Sequence, residues 1–110
     1  GKSALLVCDL GSDTIWQYVV DDSSGTAEPN PVAHSVGAHA AGAGPRHIAM
    51  HPSGKYAYII CEMGSTVQGH TYDDATGTLS AEAICAISTL PPGDEKAGDD
   101  SVSTSRTQLN

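Results

Sequence analysis

The chain has 110 residues and a formal net charge of −8, with five Lys and Arg against thirteen Asp and Glu. That length normally makes one small domain. The few scattered cations exclude a nucleic-acid surface, which needs clustered Lys and Arg. No membrane partner is expected either, because the residues carry no span-length apolar run, secretory signal or lipidation motif.

The elements follow one another in short steps. Ser3 to Leu10, SALLVCDL, is a nearly continuous apolar run and reads as a buried strand. Gly11-Ser12-Asp13 is a turn. Thr14 to Val20, TIWQYVV, is a second strand, rich in β-branched and aromatic residues. Asp21 to Gly25 is a polar turn, Thr26 to Pro31 a loop with two prolines, and Pro31 to Val36 a weaker edge strand. Gly37 to Gly44, GAHAAGAG, lacks the GK[ST] ending of a phosphate loop and is expected to be a flexible crossing.

Gly44 to Glu62, GPRHIAMHPSGKYAYIICE, is the most informative stretch. Ile48 and Met50, then Tyr56, Tyr58 and Ile60, recur at a period of two, which is strand spacing. His51 to Lys55 supplies a turn, in which Pro52 fixes one backbone angle and Gly54 can take a positive φ. Folding the hairpin about Ser53 and Gly54 brings Arg46 and Glu62 to the same open end on neighbouring strands. Gly64-Ser65 turns the chain again. Thr66 to Tyr72 is a strand, Asp73 to Gly77 a turn, and Leu79 to Ser88 a further strand.

An internal repeat runs through these elements. Gly1 to Ser12, GKSALLVCDLGS, matches Gly54 to Ser65, GKYAYIICEMGS, at an offset of 53. Asp21 to Thr26, DDSSGT, matches Asp73 to Thr78, DDATGT, at an offset of 52, so one residue is lost in between. Units of four antiparallel strands repeated every 40 to 50 residues or so mark a β-propeller. The fold class is therefore all-β, a propeller piece of about two blades: 1–43 is the end of one, 44–90 the next, and 1–93 the partial propeller. Two blades cannot close a ring, and their apolar faces and open edges invite pairing. The chain is expected to be part of a longer protein, and in isolation to self-associate. From Pro91 the pattern stops, and 94–110 is expected to be a disordered acidic and polar tail. Cys8, Cys61 and Cys85 lack CxxC spacing, and an odd count fits buried thiols in a reducing compartment, so a cytoplasmic location is expected.

Three stretches carry a resemblance: CDLGSDTIWQY, GAGPRHIAMHPSGKYAYIICEMGSTV and ISTLPPG. Together they resemble the seven-bladed lactonase propeller family, which includes propeller-type 6-phosphogluconolactonases and fungal carboxy-cis,cis-muconate cyclases. The resemblance covers Gly1 to about Gly93. It implies an active-site cleft at one end of the propeller holding an arginine and a glutamate at the spacing of Arg46 and Glu62. It also implies a histidine upstream of this chain's first strand and an arginine in a later blade, neither of which has a counterpart here.

Arg46 is always charged and donates in a planar fork, which suits a substrate carboxylate, a phosphate or a developing oxyanion. Glu62 can activate water for ring opening or move a proton during lactone formation. The bland alternative is a structural cross-strand ion pair, worth about 0.2–1 kcal/mol. Asp9 matches Glu62 in the repeat; it is expected to cap its own turn and has a minor place in the same cleft. His47, beside Arg46, is a candidate substrate contact, with packing as its alternative. His47 and His51 share a strand face, but at ~3.3 Å per residue they stand roughly 13 Å apart, too far for one zinc. No metal and no cofactor is expected. The resemblance implies a small anionic lactone as substrate and a lactonase acting on a sugar lactone such as 6-phosphogluconolactone. A lactone-forming carboxymuconate cyclase is the alternative, and a non-catalytic propeller fragment binding through its open edges is a further one.

Overall fold

The computed structural model describes residues 1–92, so the tail expected at 94–110 lies outside the described residues. Among them are nine strands and no helix, and every pairing is antiparallel. No helix among the described residues is long and apolar enough to cross a membrane. In the first sheet, β1 (Lys2–Asp9) and β2 (Thr14–Asp21) form a hairpin. β3 (Ala27–Pro29) and β4 (Ser35–Gly37) lie end to end along the far edge of β2. The second sheet runs β5 (Pro45–Met50), β6 (Tyr56–Cys61), β7 (Thr66–Asp73), with β8 (Thr78–Leu79) and β9 (Cys85–Ser88) end to end on β7. This is the arrangement of three strands of one blade followed by a whole second blade, with the outermost strand broken in both.

That break departs from the sequence expectation of one strand over Leu79 to Ser88 and a loop over Thr26 to Pro31. In the first blade Asn30 supplies the cause. Its side-chain oxygen accepts from the Val32 and Ala33 amides at 2.9 and 3.4 Å, while Pro31 has no amide to give the ladder. The chain steps out of the sheet there and rejoins it at β4. In the second blade the same step spans Ser80 to Ile84.

The core lies between the two sheets. Ile15, Val36, Ala57, Ile59, Cys61 and Leu79 are buried in one cluster, with Leu6, Cys8 and Ile48 packed against it. Polar side chains stitch the same interface. Gln17 Oε1 accepts from the Leu79 amide at 2.8 Å, and Asn30 Nδ2 donates to the Thr76 carbonyl at 2.8 Å. The connector over Gly37 to Gly44, expected to be flexible, is instead anchored at both its ends. The His39 amide donates to Gln68 Oε1 at 2.9 Å, and the Asp13 carboxylate takes the Gly42 and Gly44 amides.

The strand register separates the two blades from their sequence match. Asp9 stands opposite Thr14, whereas Cys61, not Glu62, stands opposite Thr66. Thr14 and Thr66 correspond at the offset of 52, so β1 sits one residue out of step with the offset of 53 that aligns its own sequence. A slip of one residue turns every side chain of a strand over. Leu6 and Cys8 consequently face the second blade, and their sequence partners Ile59 and Cys61 face the first. What remains outside is also apolar: Leu5 and Val7 on one flank, Tyr56, Tyr58 and Ile87 on the other. Of the three thiols expected to be buried, only Cys61 is fully so. Cys8 is partly covered, and Cys85 is exposed on the outer flank beside Gly69. Burial pushes the Cys61 thiol up to about 11.

Candidate active site

Arg46 and Glu62 meet at one end of the second blade. The pairing of β5 with β6 jumps between Pro45, opposite Cys61, and His47, opposite Ile60, so Arg46 is the extra residue of a β-bulge. Such a bulge re-aims its side chain away from the regular ladder. Glu62 follows directly on β6, and its amide donates to the Gly44 carbonyl at 2.8 Å, holding the two chain ends together. Arg46 Nη1 donates to Glu62 Oε1, the single ion pair among the described residues. Their exposures differ: the Arg46 side chain is 42% accessible and that of Glu62 only 12%. A shielded carboxylate beside a guanidinium that reaches solvent suits capture of an anion by Arg46 with Glu62 behind it as a base.

The other candidates fall less close together. His47 is exposed on β5 next to Arg46. His51 lies just beyond β5, in the turn at the opposite end of the hairpin, where Nδ1 contacts Ser53 Oγ at 2.8 Å. Among the described residues no three His, Cys, Asp or Glu side chains cluster as metal ligands. Asp9 caps its own turn: Oδ1 accepts from the Ser12 amide at 3.3 Å and Oδ2 from Trp16 Nε1 at 3.0 Å. The Trp16 N–H, with Ser12 behind it, holds that carboxyl below its ordinary value. Because of the slipped register, Asp9 is not the positional twin of Glu62.

Several polar residues escaped notice in the sequence. Cys61 Sγ donates to Gln68 Oε1 at 3.3 Å, and Gln68 Nε2 stands 2.7 Å from His70 Nε2. His70 Nδ1 stands 3.0 Å from the Ser80 carbonyl. The Gln68 amide donates to Nε2 only if the proton sits on Nδ1, and that tautomer also lets Nδ1–H donate to Ser80. All three side chains are fully buried. Burial lowers the His70 imidazole below its ordinary value, and the Ser80 carbonyl opposes this more weakly. The only signal in the sequence was two amide or imidazole side chains two residues apart in a strand, a pattern that solvent-facing positions share. A wide cleft of about 680 Å³ opens at the other end of the sheets, between Lys2, Asp21, Asn30, Tyr72 and Thr76. It is lined by strand ends and turns and, among the described residues, holds no ion pair, so the Arg46–Glu62 end is the better candidate.

Two sheets related by an internal repeat, with an Arg–Glu pair at one strand end, define a segment of a β-propeller. The family described as Lactonase, 7-bladed beta-propeller matches residues 1–107, and the chain belongs to that family. An uncharacterized protein of Lactococcus lactis subsp. cremoris is 37% identical over 87 residues, covering 79% of this chain and 24% of the relative. The 6-phosphogluconolactonase of Bacillus subtilis is 35% identical over 89 residues, covering 79% and 23%. Among solved structures, a protein from Lactobacillus plantarum superposes with a TM-score of 0.71 at 32% identity, covering 83% of this chain and 25% of its own. The chain thus spans about a quarter of the length of the relatives it matches.

Proposed function

We propose that this chain serves, as a segment of a complete propeller, in the hydrolysis of a sugar lactone such as 6-phosphogluconolactone. The observation that carries this is the bulge-presented Arg46 paired with the shielded Glu62 at a strand-end rim. The name of the Bacillus subtilis relative supports the choice of substrate class. Arg46 grips the anionic group of the substrate or the oxyanion forming at the lactone carbonyl. Glu62 takes a proton from the attacking water. His47 and Asp9 lie at the same end as further substrate contacts. Three free thiols support a reducing, cytoplasmic setting.

In a complete propeller carrying this segment, Arg46→Lys is expected to lower kcat/KM by about tenfold or more, because lysine keeps the charge but loses the fork. Steady-state lactone hydrolysis measures this, and a loss under twofold would remove Arg46 from the site. The 110-residue chain alone is expected to show no turnover above background. The upstream histidine and later-blade arginine that the resemblance to the lactonase propellers implies have no counterpart in it.

The apolar flanks at Leu5 and Val7 and at Tyr56, Tyr58 and Ile87 support one further property of the isolated chain, self-association. Analytical ultracentrifugation is expected to show oligomers that grow with concentration. A compact monomer across the micromolar range contradicts this.

A further inference from the structure

We infer that Asp13, a residue of the first blade, is a positioning residue for the Arg46–Glu62 pair in the second. The inference rests on the site proposed above. Asp13 ends the turn between β1 and β2 in a left-handed conformation, φ 54°, which aspartate tolerates better than most side chains. Its own backbone is tied on both sides. Its amide donates to the Leu10 carbonyl at 3.3 Å, and its carbonyl accepts from the Ala38 amide at 2.8 Å. The carboxylate therefore projects from a fixed base.

Both carboxylate oxygens are spent on the connector that leads into β5. Oδ2 accepts from the Gly42 amide at 2.6 Å and Oδ1 from the Gly44 amide at 2.8 Å. Hydrogen bonds to an ionised acceptor are about twice as strong as neutral ones. Two residues of that connector, Ala43 and Gly44, in turn hold the end of β6. The Gly44 carbonyl accepts from the Glu62 amide at 2.8 Å, and the Ala43 carbonyl from the Gly64 amide at 2.9 Å. Gly44 is thus clamped between Asp13 on its amide and Glu62 on its carbonyl, two residues ahead of Arg46. It cannot drift sideways. A Cβ at this position would stand 2.9 Å from Met63 Cγ and 3.2 Å from Leu10 Cγ, and its φ of +69° suits glycine. Asp13 touches neither charged side chain, yet both depend on the segment it holds. An error of about 1 Å in such a pair is enough to cost catalysis heavily.

Residue-resolved hydrogen exchange on the 110-residue chain tests this directly. Asp13→Asn keeps one acceptor oxygen and Asp13→Ala keeps none. The Gly44 and Glu62 amides are expected to exchange at least about tenfold faster in Asp13→Asn, and faster still in Asp13→Ala. The Leu79 amide, held by Gln17 across the same interface, is expected to change less than about twofold in Asp13→Asn. If Leu79 accelerates in step with Glu62, Asp13 only staples the blades and the inference is overturned. If Asp13→Ala does not fold, the Asn variant alone decides. In a complete propeller carrying the segment, Asp13→Asn is expected to lower kcat several-fold with KM nearly unchanged. An unchanged kcat in a propeller whose Glu62→Gln variant is impaired overturns the inference. Should Glu62→Gln itself turn over normally, the proposed site falls, and the exchange pattern alone decides whether Asp13 positions the pair.

Discussion

Glu62→Gln, made in a complete propeller carrying this segment, is expected to lower kcat by about a hundredfold while KM moves little, since general-base catalysis contributes on the order of 10²–10⁴. Glutamine keeps the shape and still accepts a hydrogen bond from Arg46 Nη1, so the ion pair is weakened without emptying its place. What it loses is the ability to take a proton. The alternative, a brace between β5 and β6, predicts the reverse pattern. With the Arg46 side chain 42% exposed, solvent screens the pair, and its loss costs no more than about 1 kcal/mol of stability. A brace therefore leaves kcat within about twofold and lowers Tm by a few degrees. Measuring kcat and Tm on this one variant separates the two roles, and a Tm loss of a few degrees with kcat intact removes Glu62 from the chemistry.

Gln68→Leu is expected to give the largest loss of stability of any single replacement away from the site. The side chain is fully buried and serves three partners at once: the Cys61 thiol, the His39 amide and the His70 ring. Leucine fills a similar volume and makes none of these bonds. A buried polar group left without its partner costs about 1–3 kcal/mol. The thiol is a weak donor, so the sum is about 2–5 kcal/mol and the melting temperature falls by 10 °C or more. Calorimetry that finds the variant melting within about two degrees of the parent would show the network to be neutral.

The same network makes stability depend on pH. His70 is held neutral, with its folded value below the ordinary 6.5 it regains on unfolding. Between those two values the unfolded chain binds more protons than the folded one. Stability is therefore full above about pH 6.5 and falls as the pH drops through that window, by up to ~1.4 kcal/mol per unit. The carboxylates Asp9 and Asp21, both lowered from 3.8 chiefly by hydrogen bonds, add a separate loss at lower pH.

The longer strands and their turns were legible because they are bounded by Gly, Pro, Asp or Ser and filled with β-branched and aromatic residues, whereas the broken outer strands of both blades were not. Which way each strand faces was not. Leu5-Leu6-Val7 and Ile59-Ile60 are apolar on both faces, as strands sandwiched between blades must be, so alternation carries no direction there. Arg46 and Glu62 could be brought together by folding a hairpin on paper. The bulge that frees Arg46 could not be foreseen, because it is set by the Gly44–Glu62 backbone bond and by Asp13, 31 residues before Gly44. Nothing in the local sequence marks Gln68 and His70 as buried, because an isolated polar side chain in a strand usually faces solvent. Their burial depends on the packing of one blade against the other, which no local pattern contains.

The one-residue slip of β1 has a consequence for anyone who treats the two repeats as interchangeable cassettes. Averaging them column by column to design an idealised module would merge Leu6 with Ile59 and Cys8 with Cys61. Those columns point toward opposite neighbours, so in a tandem array the merged side chains would satisfy one neighbour and fail the other. Both turns hold four residues, 10–13 and 62–65, so the phase change between copies lies in how the β1 sequence is set against that turn. Grafts or permutations that cut the chain at 10–13 should therefore keep that turn's length with β1, because shortening it by one residue exchanges the strand's inner and outer residues.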